Sequence, residues 1–196
     1  TNASALARAN EAALGETGGE LAVSQSGAGE AATFRLRLAA GFSTYSLSGS
    51  YGGEDQTVEV DIWTNETARY VRMQSESDVR YQTVDRQNDL PSSLRLVEGL
   101  LASGEFTVAN ESTGEGTVRL TADEYADPAD GHTPFSEVSA FDGRLVVDES
   151  GQIHNLTVSA VDRGESVSYG FDLRETGVDT VPQPDWFAEM PQSATL

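Results

Sequence analysis

The chain has 196 residues, of which 32 are acidic and 12 basic, for a formal net charge of −20. Every basic residue is arginine, and the chain contains neither lysine nor cysteine. This composition excludes disulfides and thiolate metal sites and leaves no basic patch for nucleic acid or an anionic membrane surface. No apolar run approaches the roughly 20 residues that span a bilayer as a helix. The acids are dispersed rather than gathered in a tail, which reads as a solvated acidic coat. Self-repulsion across such a coat falls as salt shortens the screening length to roughly 3 Å near 1 M, so a salt-saturated environment is expected. A β-rich chain of this length buries a substantial core as one domain, expected over 1–196 with a leading helix in 1–17 and a C-terminal tail in 180–196.

In chain order, the first element is a short helix over 2–14, capped by Asn2 or Ser4 and stopped at Gly15. Strands follow over 20–26 and 33–38, the second with Phe34, Leu36 and Leu38 on one side and Arg35 and Arg37 on the other. After Gly41 a third strand puts Tyr45, Leu47 and Tyr51 on one face against serines. A meander over 57–86 is the organising stretch. Val58, Val60 and Ile62 alternate there with Glu59 and Asp61, the period of a strand with one dry and one wet face. A two-residue turn at Asn65-Glu66 would pair Val60 with Val71 and Val58 with Met73. The third strand, 79–84, places Val79 and Tyr81 on the dry face, and a one-residue slip would exchange them for Arg80 and Gln82.

Leu90, Leu94, Val97 and Leu101 then recur at helical spacing, with Pro91 in the first turn and Gly104 at the end. Strands resume at Phe106 and Val108 and at Val118 and Leu120, followed by a polar connection over 122–139 with a helical turn expected near 134–140. Three closing strands carry Leu145 and Val147, then Leu156, Val158 and Ala160, then Val167, Tyr169, Phe171 and Leu173. Asp148-Glu149-Ser150-Gly151 and Asp162-Arg163-Gly164-Glu165 are their hairpin connections. The chain closes on Pro182-Gln183-Pro184-Asp185-Trp186-Phe187 and a loose tail. The pattern is mostly β, about eleven antiparallel strands in a sheet wide enough to curl, with two or three short helices against it. Tyrosines and a methionine on the dry face (Tyr45, Tyr81, Tyr169, Met73) suit a cleft better than a core of branched aliphatics.

No catalytic signature accompanies this pattern. The nucleophile elbow, the phosphate-binding glycine loop and the zinc-binding His-Glu-x-x-His motif are all missing. The two histidines, His132 and His154, lie in a polar loop and at a strand start. Paired acids suited to glycoside hydrolysis would come from Glu59 with Asp61, or from Asp123, Glu124, Asp127 and Asp130. Acids this abundant cluster by chance, and the second group lacks the ligand spacing of a calcium loop; solvated surface is the expected reading, with no cofactor and no metal. Four of the six asparagines (Asn2, Asn65, Asn110 and Asn155) begin Asn-x-Ser/Thr triplets, the N-glycosylation pattern, which points to the outside of a cell. No secretory leader is read at the start, so an exported protein would be represented here in mature or trimmed form.

Three short stretches carry a family likeness: Asp61-Ile62-Trp63-Thr64-Asn65-Glu66-Thr67-Ala68-Arg69-Tyr70, Leu100-Leu101-Ala102-Ser103-Gly104-Glu105-Phe106, and Pro184-Asp185-Trp186-Phe187. With the order of elements, they make the chain resemble the lipoprotein-carrier fold of LolA and LppX type, and more narrowly haloarchaeal lipoproteins of unknown function. The resemblance implies an incompletely closed antiparallel barrel whose concave apolar face holds acyl chains beneath a helical lid. It also implies export and a lipid anchor on the cytoplasmic membrane of a halophilic archaeon; with no cysteine here, the anchor would lie outside this chain. The lipid or other hydrophobic ligand is expected to meet Tyr45, Leu47, Val58, Val60, Ile62, Val71, Met73 and Leu120 from the sheet. Leu94, Val97 and Leu101 would come from the lid, with Val158, Tyr169 and Phe171 from the far wall. A cell-surface protein with a filled core, and a carbohydrate-active enzyme using paired acids, are the alternatives.

Overall fold

The computed structural model describes residues 2–53, 56–86, 91–112 (110–112 by backbone alone), 116–128 and 133–191. The strands are β1 Gly19–Gly27, β2 Glu30–Leu38, β3 Tyr45–Gly52, β4 Thr57–Thr64, β5 Ala68–Gln74 and β6 Val79–Asp85. They continue with β7 Thr107–Ser112, β8 Thr117–Ala122, β9 Val138–Asp148, β10 Ile153–Asp162 and β11 Glu165–Thr176. All eleven lie in one antiparallel sheet, in the order β6-β5-β4-β3-β2-β1-β11-β10-β9-β8-β7. Two meanders are thus joined where the first strand pairs with the last, and β6 and β7 remain as edges. This is the expected mostly-β, curled and incompletely closed barrel. Helices α1 Ala3–Thr17 and α2 Ser92–Ala102 pack against it, and 3₁₀ turns occupy Ala40–Phe42 and Asp185–Glu189.

Turn chemistry sets much of this order. Asp162 pairs with Glu165 around Arg163 and Gly164, whose φ values are 50° and 82°, and Gly27 pairs with Glu30 around Ala28 and Gly29, at 54° and 79°. Two left-handed residues in a two-residue turn match the right-handed twist of the flanking strands. The β9–β10 connection is held by one side chain: Asp148 Oδ1 accepts from Ser150 N, Ser150 Oγ and Gln152 N, and its Oδ2 lies 3.0 Å from His154 Nε2.

Several expectations need correction. Helix α1 runs through Gly15 to Thr17, because the left-handed stop is Gly18 (φ 66°), whose N–H bonds back to Leu14 O. Asn2 is its cap, with Oδ1 accepting from Ala5 N. Pro91 precedes α2 at the N-cap instead of sitting in its first turn, and Leu90 lies outside the described residues. The β4–β5 connection is Asn65 to Thr67, one residue longer than expected. Asn65 Oδ1 accepts from Thr67 N, Thr67 Oγ1 and Ala68 N, and the register becomes Val60 with Met73 and Ile62 with Val71. A shift of two residues leaves every side chain on its expected face. In β6 the faces are exchanged: Gln82 pairs with Val71 and Arg80 with Met73, which puts Tyr81 and Val79 on the opposite side. No helical turn forms at 134–140, since Val138 already opens β9.

Candidate ligand-binding face

The concave side of the sheet has two unlike halves. Over β1, β2 and β8–β11 it is filled. Leu94, Val97 and Leu101 of α2 and Leu120, Val158, Tyr169 and Phe171 of the sheet are each at most 8% exposed, in one cluster with Leu14 and Leu21. Phe135 stacks edge-on against both Phe141 and Tyr169. Gly143 and Gly104 make room for the rings of Phe106 and Phe141, whose atoms come within 2.8 and 2.7 Å of where a Cβ would stand. Between α1 and α2 there is a crevice of about 50 Å³. Buried Asn10 of α1 accepts from Ile153 N at the start of β10. Burial and the neighbouring Asp162 push the Tyr169 hydroxyl pKa up.

Over β3–β6 the same side is apolar but open. Cross-strand pairing aligns Leu47, Ile62 and Val71 in one row, Gly49, Val60 and Met73 in the next, and Tyr51 with Val58 at the far end. Leu47 and Ile62 touch the margin of the core, whereas Val58, Val60, Val71 and Met73 lie beyond it and are only partly buried. Tyr51 and Val84 are 45% and 41% exposed. The rows end in a hollow of about 470 Å³ with Tyr51, Val58 and Met73 in its wall beside the Arg80–Asp78 ion pair. At the other end stand Tyr45, which is buried, and Thr64, whose hydroxyl accepts from Tyr45 N and donates to Tyr45 O. Arg86 seals that end, its guanidinium donating to the carbonyls of Phe42, Ser43 and Asn65 and lying over the Tyr45 ring.

The convex side of β4–β6 is covered by the chain itself. Trp63 and Tyr70 stack at 5.6 Å, and Phe187 meets both edge-on. Trp186 is buried near Tyr81, while Val178 and Val181 pack with Ala39 and Trp63. The segment 178–187 is therefore a clasp across the outer face. Beside it runs a polar groove of about 540 Å³ with Glu20, Arg35, Arg37 and Asp61 in its wall. Burial raises the Asp61 pKa against the opposing pull of Arg72, 3.5 Å away.

The structure thus brings together six predicted residues, Leu47, Val58, Val60, Ile62, Val71 and Met73, on an open face, with Tyr45 at its end. The other seven are in the filled half. Glu59 and Asp61 point to the convex side as expected, and Asp123, Glu124 and Asp127 are exposed; Asp130 and His132 lie outside the described residues. Among the described residues no group of three or more His, Cys, Asp or Glu is placed to hold a metal. Of the sequons, Asn2 and Asn65 use their side-chain oxygens in cap and turn, Asn155 is half-buried on β10, and the side chain of Asn110 lies outside the description. Sequence reasoning missed the clasp and the arginines Arg69 and Arg86. The signal for the clasp was the aromatic pair Trp63 and Tyr70 on the face assigned to water.

No protein-family model matches the sequence, and no curated protein matches it. Among solved structures the chain is similar to the lipoprotein LppX of Mycobacterium tuberculosis, at 15% identity and a TM-score of 0.48, over 93% of this chain and 99% of that one. It is also similar to a LolA superfamily protein from Nitrosomonas europaea, at 10% identity and a TM-score of 0.31, over 93% and 96%. At that identity and superposition the likeness assigns no activity to this chain.

Proposed function

We propose that this chain is a non-enzymatic, extracytoplasmic module that binds a lipid or other hydrophobic ligand on the concave face of β3–β6. The observation that carries this reading is that the concave face of this half of the sheet is built from apolar cross-strand rows that no helix covers among the described residues. On the convex side the C-terminal clasp covers the aromatic patch of Trp63, Tyr70 and Tyr81, whereas the concave rows Leu47-Ile62-Val71 and Val60-Met73 stay partly exposed. A contiguous exposed apolar face bordered by polar groups is the usual mark of a binding surface. The predicted residues of the filled half, Leu94, Val97, Leu101, Leu120, Val158, Tyr169 and Phe171, act in this reading as the rigid wall behind the ligand. The chain works as a single unit, with any membrane anchor outside it and with sugars on whichever sequons are modified.

Native mass spectrometry of protein purified from its own host at high salt, followed by organic extraction, tests this directly. A stoichiometric hydrophobic species released on denaturation is the expected result. Val60→Glu should abolish its uptake while leaving the fold, because Val60 is only partly buried and a charge there keeps access to water. Unchanged uptake by folded Val60→Glu protein, or a clean apo mass with no uptake of added lipids, would instead favour a filled-core surface protein.

A further inference from the structure

Arginine is the only basic residue of this chain, outnumbered by acids 32 to 12, and the structure engages almost every guanidinium. Arg35 meets Glu20, Arg72 meets Asp61, Arg80 meets Asp78, Arg144 meets Asp142 and Arg174 meets Asp172. Arg8, Arg86 and Arg163 donate to carbonyl or hydroxyl oxygens. Arg69 does not fit this pattern. Its Nε is buried without a hydrogen-bond partner, and its guanidinium joins no ion pair among the described residues. Arg37 shares the unpartnered Nε but stands directly opposite the carboxylate-bearing Glu20. Arg69 stands opposite Thr64 and Val84, both neutral.

Alternation along β5 puts Arg69 on the same face as Val71 and Met73, the open concave face. None of the side chains that β3–β6 present there is acidic; Glu59, Asp61 and Asp85 all point the other way. A molecule with a net charge of −20 thus keeps an apolar face whose strands present no acid there, the Asp78 carboxylate of the far hollow being paired with Arg80, and an unpaired cation stands near its sealed end. A partly buried guanidinium without a counter-ion is costly and pairs strongly, often in bidentate fashion, with a carboxylate or phosphate. From the Tyr45 row to the Tyr51 row the face runs about 20 Å, at roughly 3.4 Å per residue, a length suited to a single extended alkyl chain.

Building on the hydrophobic-ligand reading above, we infer that the ligand is an alkyl-chain amphiphile with an anionic head, the head on Arg69 and the tail laid over Val71, Met73 and Val58. Titrations with dodecanoate, dodecyl phosphate and neutral dodecanol, followed by native mass spectrometry or probe displacement at low and high salt, test it. Wild-type protein should bind the two anions roughly tenfold or more tighter than dodecanol, with the margin shrinking as salt rises. The tighter of the two anions names the head group. Arg69→Gln should lose that margin and keep dodecanol affinity, whereas Arg144→Gln, exposed on β9 and paired in the parent with Asp142, should keep the margin. Equal wild-type affinity for all three, or a margin that survives Arg69→Gln, would overturn the anionic head and leave the hydrophobic site standing. Failure of the wild type to bind any of the three, dodecanol included, would overturn the site itself. The wild-type comparison needs no variant, so it decides even if Arg69→Gln were to unfold.

Discussion

At the scale of single residues, the fold is tied at points where one side chain serves several backbone groups. Asp148 organises the β9–β10 turn. Partial burial disfavours its charge, but hydrogen bonds from Ser150, His154 and Gln152 outweigh that cost and hold the carboxyl below its usual pKa. A carboxyl depressed in the folded state binds fewer protons there than in the unfolded chain, so its stabilisation is present above the unfolded pKa of about 3.9 and fades as pH falls through the lower folded value. Asp148→Asn, which keeps an acceptor oxygen and loses the charge, should melt below wild type at pH 7. That gap should close on acidification toward pH ~3. A gap independent of pH would mean that the charge contributes nothing. Arg86 is a second such point, donating to three carbonyls in two loops. Arg86→Ala should cost about 2 kcal/mol in denaturant unfolding, the worth of charged hydrogen bonds partly replaced by water.

At the scale of elements, the C-terminal segment decides how the sheet is used. It carries Trp186 and Phe187 onto the Trp63–Tyr70 stack and thereby covers the aromatic patch on the outer face of β4–β6. Trp186→Ala should lower stability by about 3 kcal/mol and expose the segment after Val181 to protease. Protease resistance equal to wild type would show that the clasp is held by something else. Within β3, Gly49 lets Phe34 lie across the strand, its Cα only 2.7 Å from where a Cβ would stand. Gly49→Ala is expected to destabilise by about 1–3 kcal/mol through overpacking against backbone that cannot yield.

At the scale of the whole molecule, the division into a filled half and an open half sets the contrast between two charge insertions. Phe171 is 2% exposed within the core cluster. Phe171→Glu should therefore unfold the protein, as a buried charge without a partner costs several kcal/mol. Val60→Glu should be tolerated and act only on uptake. The net charge of −20 adds a global term. Melting temperature should rise by several degrees between about 0.1 M and 2 M potassium chloride as screening relieves the acidic coat, and a flat profile would count against a salt-adapted surface.

Much of this was legible in the residues alone. Strand periodicity, the turn tetrads at Asp148 and Asp162, and the helical spacing of Leu94, Val97 and Leu101 determined an antiparallel sheet with helices against it, because these are local signals of two-residue and 3.6-residue period. The acid excess led to the expectation of an acidic surface, since no core of this size can hold so many carboxylates, and the melting profile in salt tests it. Tertiary structure alone decided which apolar residues meet each other and which meet water. Phe171 and Val60 look alike in a strand; what separates them is that Phe171 lies within the core cluster that α2 joins and Val60 lies outside it. Tyr81 and Arg80 exchanged faces because the partner of β6 is set by β5, and one residue of register reverses every side chain. Arg69 became a candidate only once its neighbours were known: a guanidinium is unpaired by virtue of what stands opposite it, and cross-strand pairing is not written in any single strand.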